Sequence, residues 1–165
     1  MAAVDYFLKI DGIEGEAQDQ KHKNEIQCES WSFGAHNAGT SHTGEGLGAG
    51  KVQMGDFHFT MTSNKASPKL FLSCATGDHI KKAVLTCRKA GKEQQEYLVW
   101  TFKDLLISSY QTGGASSSAH LPLDQISFNF TCAQIDYKEQ KADGTLGGAV
   151  TTGYDVKQQK SGACG

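Results

Sequence analysis

Alternation with period two runs through most of this chain, and it limits the possible folds more than any other feature. Successive side chains on a strand point to opposite faces, so apolar residues at every second position offer one face to a core and the other to water. DFHFTMTS at 56 to 63 sets Phe57, Phe59 and Met61 against His58, Thr60 and Thr62. VDYFLKI near the start and NEIQCESWSF at 24 to 33 read as strands too, as do KKAVLTCRK, EYLVWTF, LLISSYQ, ISFNFTCAQIDY and TGYDVK after residue 78. Ala90-Gly91-Lys92 and Thr112-Gly113-Gly114 are turn signals between them. The class is mainly β, and 165 residues suit one domain spanning 1–165.

One segment breaks the pattern. In SPKLFLSCATG, Ser67 suits an N-cap, Pro68 the first helical position and Gly77 the C′ position, with Leu70, Phe71 and Cys74 forming an apolar stripe. A short helix on the side of the β body is expected. Trp31, Phe33, Phe57, Phe59, Phe128 and Phe130 are assigned to the core, because aromatic residues paired on one strand face fill a sheet interior. With Trp31 and Phe33 inward, parity turns Ser30 and Ser32 outward as a small, uncharged outer face.

The stretch AHNAGTSHTGEGLGAGK, from 35 to 51, joins two strands through far more residues than the two to five or so of an ordinary hairpin. Its GEGLGAGKV does not make a nucleotide loop: neither Gly44 nor Gly46 stands in the P-loop register to Gly50-Lys51, and Val52 cannot ligate Mg²⁺. His36 and His42 lie six apart, which matches no zinc spacing. A formal net charge of −2, with both signs interspersed, gives no basic footprint for nucleic acid. Five cysteines without a C-x-x-C pair indicate neither a disulfide framework nor a zinc ribbon, so free thiols in a reducing compartment are expected. Cys74, Cys87 and Cys132 suit helix-stripe or strand positions, and Cys164 is read as a mobile free thiol. No catalytic residue, cofactor or metal site is expected. MAAVDYFLKIDG lacks a basic n-region and a long apolar run, and no stretch spans a bilayer. The expectation is cytoplasmic synthesis, no membrane association, and export, if any, without a cleaved signal.

YFLKIDGIEGEA, ESWSFG, AGKVQMGDFHFTM, KASPKLFLSCATGDHIKKAVLTCRKAG, EYLVWTFKDLLISSYQTGG, ISFNFTCAQIDYKEQKADG and GYDVK together resemble the hemolysin-coregulated protein (Hcp) family, the tube subunits of the bacterial type VI secretion system. The resemblance runs over nearly the whole length. It implies a β-barrel of two packed sheets with one short α-helix on its side and a long extended loop. It further implies a structural, non-enzymatic subunit that forms a homo-hexameric ring. Rings would stack into a hollow tube capped by a VgrG-like spike protein and driven by a contractile sheath, with small effector proteins held in the lumen. The loop then serves ring or tube contacts through Thr43, Gly44, Glu45, Gly46, Leu47, Gly48, Ala49, Gly50 and Lys51, and Ser30 and Ser32 are lumen-facing candidates. Phe33 and Trp100 depart from residues usual in the family, and the tail KSGACG carries no resemblance. Two other classes remain open on the residues alone: a monomeric β-sandwich that binds glycans, and a small Cys–His hydrolase.

Overall fold

A computed structural model describes residues 4–39, 50–90 and 93–165. The chain opens with β1 (Val4–Ile10) and three short strands, β2 (Ile26–Gln27), β3 (Ser30–Ser32) and β4 (Ala35–Asn37). β5 (Val52–Met54) and β6 (Phe57–Thr62) lead into the helix α1 (Ser67–Thr76). Long strands follow, β7 (His79–Lys89), β8 (Gln95–Gly113), β9 (Leu123–Gln140) and β10 (Leu146–Asp155), before the two-residue β11 (Lys160–Ser161). All pairings are antiparallel.

Among the described residues nine strands form one sheet, and β4 and β5 form a separate ribbon. β9 organises the large sheet: one edge pairs with β8, while the other is shared between β6 at residues 123–128 and β10 at its far end. The path runs on through β7 and β1 to β2. From there the chain changes partners within two residues, the Cys28 N–H donating to Tyr6 O of β1 and the Glu29 N–H to Thr60 O of β6. β3 then pairs with β6. The mainly β expectation with one short helix holds among the described residues. Among the described residues no hydrogen-bonded ladder closes the sheet, because the step from β2 to β3 is made by the chain itself.

Phe57, Phe59, Phe102 and Phe128 are fully buried and pack with Leu8, Leu85, Leu105 and Ile107 into one core. Trp31, Phe33 and Phe130 pack against that cluster from its half-buried margin. EYLVWTF and LLISSYQ, expected as two strands, are one. Asp104 adopts φ 50 between them, and Phe102 and Leu105, three apart, are both fully buried. The alternation changes phase there and imitates a strand end.

Two details of the helix differ from expectation. Ala66 occupies the N-cap and contributes no side-chain bond, with Ser67 and Pro68 already helical. The Ser67 hydroxyl is engaged elsewhere, donating to Asp124 Oδ2 at 2.5 Å, while the Ala66 N–H donates to Asn64 Oδ1 at 2.8 Å. Leu70 is fully buried as expected, but Phe71 is 59% exposed and meets Tyr110 only edge-on. Gly77 ends the helix in the left-handed conformation, its N–H on Ser73 O.

Asp124 is fully buried at the helix N-terminus. Burial alone would raise its pKa, yet hydroxyls of Ser67, Thr112, Ser63 and Tyr110 outweigh that and hold it below the usual carboxylate value. The positive end of the helix dipole favours the same charged state. Asp124→Ala would remove the acceptor shared by these half-buried or exposed hydroxyls, and chemical denaturation should show a loss of about 1–2 kcal/mol.

Candidate assembly surfaces

Ladder register extends the Ser30 and Ser32 face across four strands. Ser30 lies opposite Thr60, Thr60 opposite Gln125, and Gln125 opposite Gln111. One row away, Ser32, His58, Ser127 and Ser109 align in the same way. Ser30 and Ser32 are exposed, as are His58, Gln125, Ser109 and Gln111. Between the rows run Trp31, Phe59, Ile126 and Tyr110, of opposite parity, which belong to the core or pack on it. Hydroxyl bonds stitch the outer face together: Ser30 to Thr60 at 2.6 Å, and Ser108 and Ser109 to Ser127 at 2.8 and 2.5 Å. Ser108 is the extra residue where the β8–β9 register shifts, and its hydroxyl also donates to Asp56. The result is a sheet face of short polar groups whose two rows contain no Lys, Arg, Asp or Glu.

The second surface is the β4–β5 ribbon, in which His36 lies opposite Gln53 and Asn37 opposite Val52. The ribbon leads into the glycine-rich stretch, whose residues Thr43, Gly44, Glu45, Gly46, Leu47, Gly48 and Ala49, with His42, lie outside the described residues. Gly50 and Lys51 are at its return. Asn37 Nδ2 donates to Gly50 O at 2.7 Å, and a Cβ at Gly50 would collide with the Ala38 carbonyl, so only glycine lets the two arms approach this closely. Lys51 is exposed and, with Asn37 and Val52, borders a shallow cleft completed by Tyr154 and Gln159.

Cys28 and Cys87 are poorly placed to act as nucleophiles. Burial pushes the Cys28 thiol far above its ordinary range, with the nearby Cys87 and Glu29 adding to the effect, and burial pushes Cys87 up to about 12. A thiol in that state is rarely the reactive thiolate. Among the described residues there is no group of three or more His, Cys, Asp or Glu side chains placed to hold a metal ion, and no helix long and apolar enough to cross a membrane.

Two features were not visible in the sequence. Cys132 and Cys164 form a disulfide, so the expectation of unpaired thiols fails at both positions, and the tail is tied down. The β9–β10 hairpin carries residue 164 back over residue 132, a proximity that spacing alone does not reveal. The other is a polar cluster on the face of β1 and β7 opposite the main core, covered by residues 14–25. Arg88, 2% exposed, donates to Asp19 at 2.8 Å and to Asp5 at 3.3 Å, and its guanidinium lies over the Phe7 ring. His22 stacks on the same ring and faces Glu25 and Glu96, each at 2.7 Å.

Comparison with known proteins gives a consistent result. The family model described as "Type VI secretion system effector, Hcp" matches residues 7–137. Protein hcp1 of Pseudomonas aeruginosa is 44% identical over 158 residues, covering 94% of this chain and 97% of that one. The crystal structure of Hcp1 from Salmonella typhimurium superposes with a TM-score of 0.80 at 36% identity, covering 97% of this chain and 99% of that chain. A structure described as a type six secretion system protein superposes with a TM-score of 0.92 at 28% identity, covering 96% and 99%.

Proposed function

The chain belongs to the Hcp family of type VI secretion proteins, a structural tube component and not an enzyme, and on that premise we propose that six copies close into a ring whose lumen is lined by the Ser30–Ser32 face. Heterologous contacts that satisfy a rotation close on themselves, and closure covers sheet edges that would otherwise invite uncontrolled pairing. Rings then stack into a tube, with the segment Thr43 to Lys51 reaching the neighbouring subunit or the next ring. The tube leaves the cell with its spike protein when the sheath contracts, and small effector proteins travel in the lumen.

The observation that carries this reading is the four-strand polar face. A passage for varied cargo must be wet, must not bind one charge class, and must not offer apolar patches that trap a passenger. Rows of Ser, Thr, Gln and a single His meet all three demands. Ser32→Gln places a longer side chain on an exposed position, so the subunit should remain folded and ring-forming while cargo affinity falls about tenfold, roughly 1.4 kcal/mol. Co-purification of an effector with the two rings measures this. Unchanged retention would remove Ser32 from the lumen, and an unfolded variant would show that the strand is packed on both faces.

Removing Thr43 to Gly50 tests the other surface. Shortening a loop changes closure entropy by only about 1 kcal/mol or less, so the isolated subunit should melt close to the parent temperature. A contact repeated around every ring interface is different, and export from a type VI-competent host should collapse while the protein stays soluble inside. Normal export of the deleted chain would reduce the segment to a tolerated insertion.

A further inference from the structure

We propose that Cys132 and Cys164 make a redox-operated strap: a dithiol inside the reducing cell, and a disulfide that clamps the tail across β8, β9 and β10 once the protein is outside. Exposure to the exterior rests on the export reading above; the strap itself does not.

The geometry is that of a built crossing. Lys103 on β8, Cys132 on β9 and Asp155 on β10 form one row across the sheet. Cys132 is buried yet stands apart from the main core cluster, which takes its neighbours Phe102 and Ala133. Its cover is the tail. β11 pairs with the end of β10, Ser161 opposite Tyr154 and Lys160 opposite Asp155. The Gly162 N–H then donates to Gly153 O at 2.9 Å, the Cys164 N–H to Gln134 Oε1 at 3.0 Å, and Lys103 Nζ to the Gly165 carbonyl. Gly153 makes the approach possible, since a Cβ there would stand 2.5 Å from the Gly162 carbonyl oxygen. The Lys103 contact is exposed and the Cys164–Gln134 one only partly buried, and bonds of this kind each contribute only about 1 kcal/mol against water. The covalent link is therefore what decides whether the tail stays down.

The other three cysteines are segregated from this exchange. Cys28 and Cys87 are buried with raised pKa values, and Cys74 is on α1. The chemistry needs only a small-molecule disulfide. A thiolate of the pair attacks it, releasing one small thiol and leaving a mixed disulfide; the second cysteine, as thiolate, displaces the other small thiol. One protein dithiol and one small disulfide give one protein disulfide and two small thiols. A reducing dithiol such as dithiothreitol runs the reverse exchange.

The test uses the full chain purified in dithiothreitol, then treated with glutathione disulfide. Peptide mapping without reduction should find Cys132 joined to Cys164, with Cys28, Cys74 and Cys87 still alkylatable. Hydrogen exchange over residues 156–165 should be at least about tenfold slower in the oxidised protein, with Cys164→Ser exchanging like the reduced protein under both conditions. Persistent glutathione adducts without closure, or equal exchange in the two forms, would overturn the strap. Alkylation of protein from cell lysate should find the dithiol; a disulfide already complete there would overturn redox operation and leave a constitutive link. Closure in vitro with no protein in the culture supernatant would contradict the export reading and leave the strap standing.

Discussion

Arg88→Ala is expected to lose about 3–5 kcal/mol of folding stability, because it leaves Asp5 and Asp19 without the buried cation that holds them. The guanidinium is almost wholly covered, lies over Phe7 and reaches both carboxylates. Replacing all three charged groups with apolar residues of similar volume should cost much less than the single change, since the large penalty belongs to the orphaned charges. Acid unfolding gives a second signature. The Arg88 hydrogen bond, opposed by burial and helped by the Lys21 and His22 backbone N–H groups, lowers Asp19 from 3.8 to about 2. A folded pKa below the unfolded one means the stabilisation is complete above about pH 4 and is lost as pH falls toward 2. Without Arg88 that acid limb should flatten. Equal stability of Arg88→Ala and the parent in urea would refute the account of this cluster.

Phe102→Ala should be comparably damaging, at about 3–5 kcal/mol. Phe102 is fully buried and its ring meets Phe33, Phe57, Phe128 and Phe130 at centroid distances of 4.8 to 5.9 Å, with Trp100 stacked at 6.0 Å. The position joins β8 to β7 through Ala83 and to β9 through Ala133. Those small partners cannot fill the void, so only a shift of the surrounding packed rings could do so. Thermal or urea unfolding measures the loss, and a change below about 1 kcal/mol would mean that the surrounding rings collapse into the space.

Alternation was informative wherever one face of a strand meets the core and the other meets water. Phe57, Phe59 and Met61 are buried and His58 is exposed, as period two requires. It failed on β7, where Leu85, Thr86, Cys87 and Arg88 are all buried because residues 14–25 cover the second face. A charged residue in such a strand looks like a solvated one until its cover is known. It also failed at Asp104, where a phase change inside β8 imitated a strand end. The disulfide was hidden for a topological reason: two cysteines 32 residues apart meet only because β9 and β10 fold back as a hairpin. For the candidate surfaces, strand parity indicated the exposure of Ser30 and Ser32. Their continuity with Thr60, Gln125, His58, Ser127 and the β8 residues needed the ladder register, which no single strand contains.

Assembly into a closed ring is the claim on which the rest depends. The most direct test is the mass of the purified chain by light scattering at high micromolar concentration, paired with negative-stain microscopy of the same sample. The expected result is a monodisperse particle of about six subunit masses, seen end-on as a ring with a central hole. A monodisperse monomer under those conditions would contradict the account.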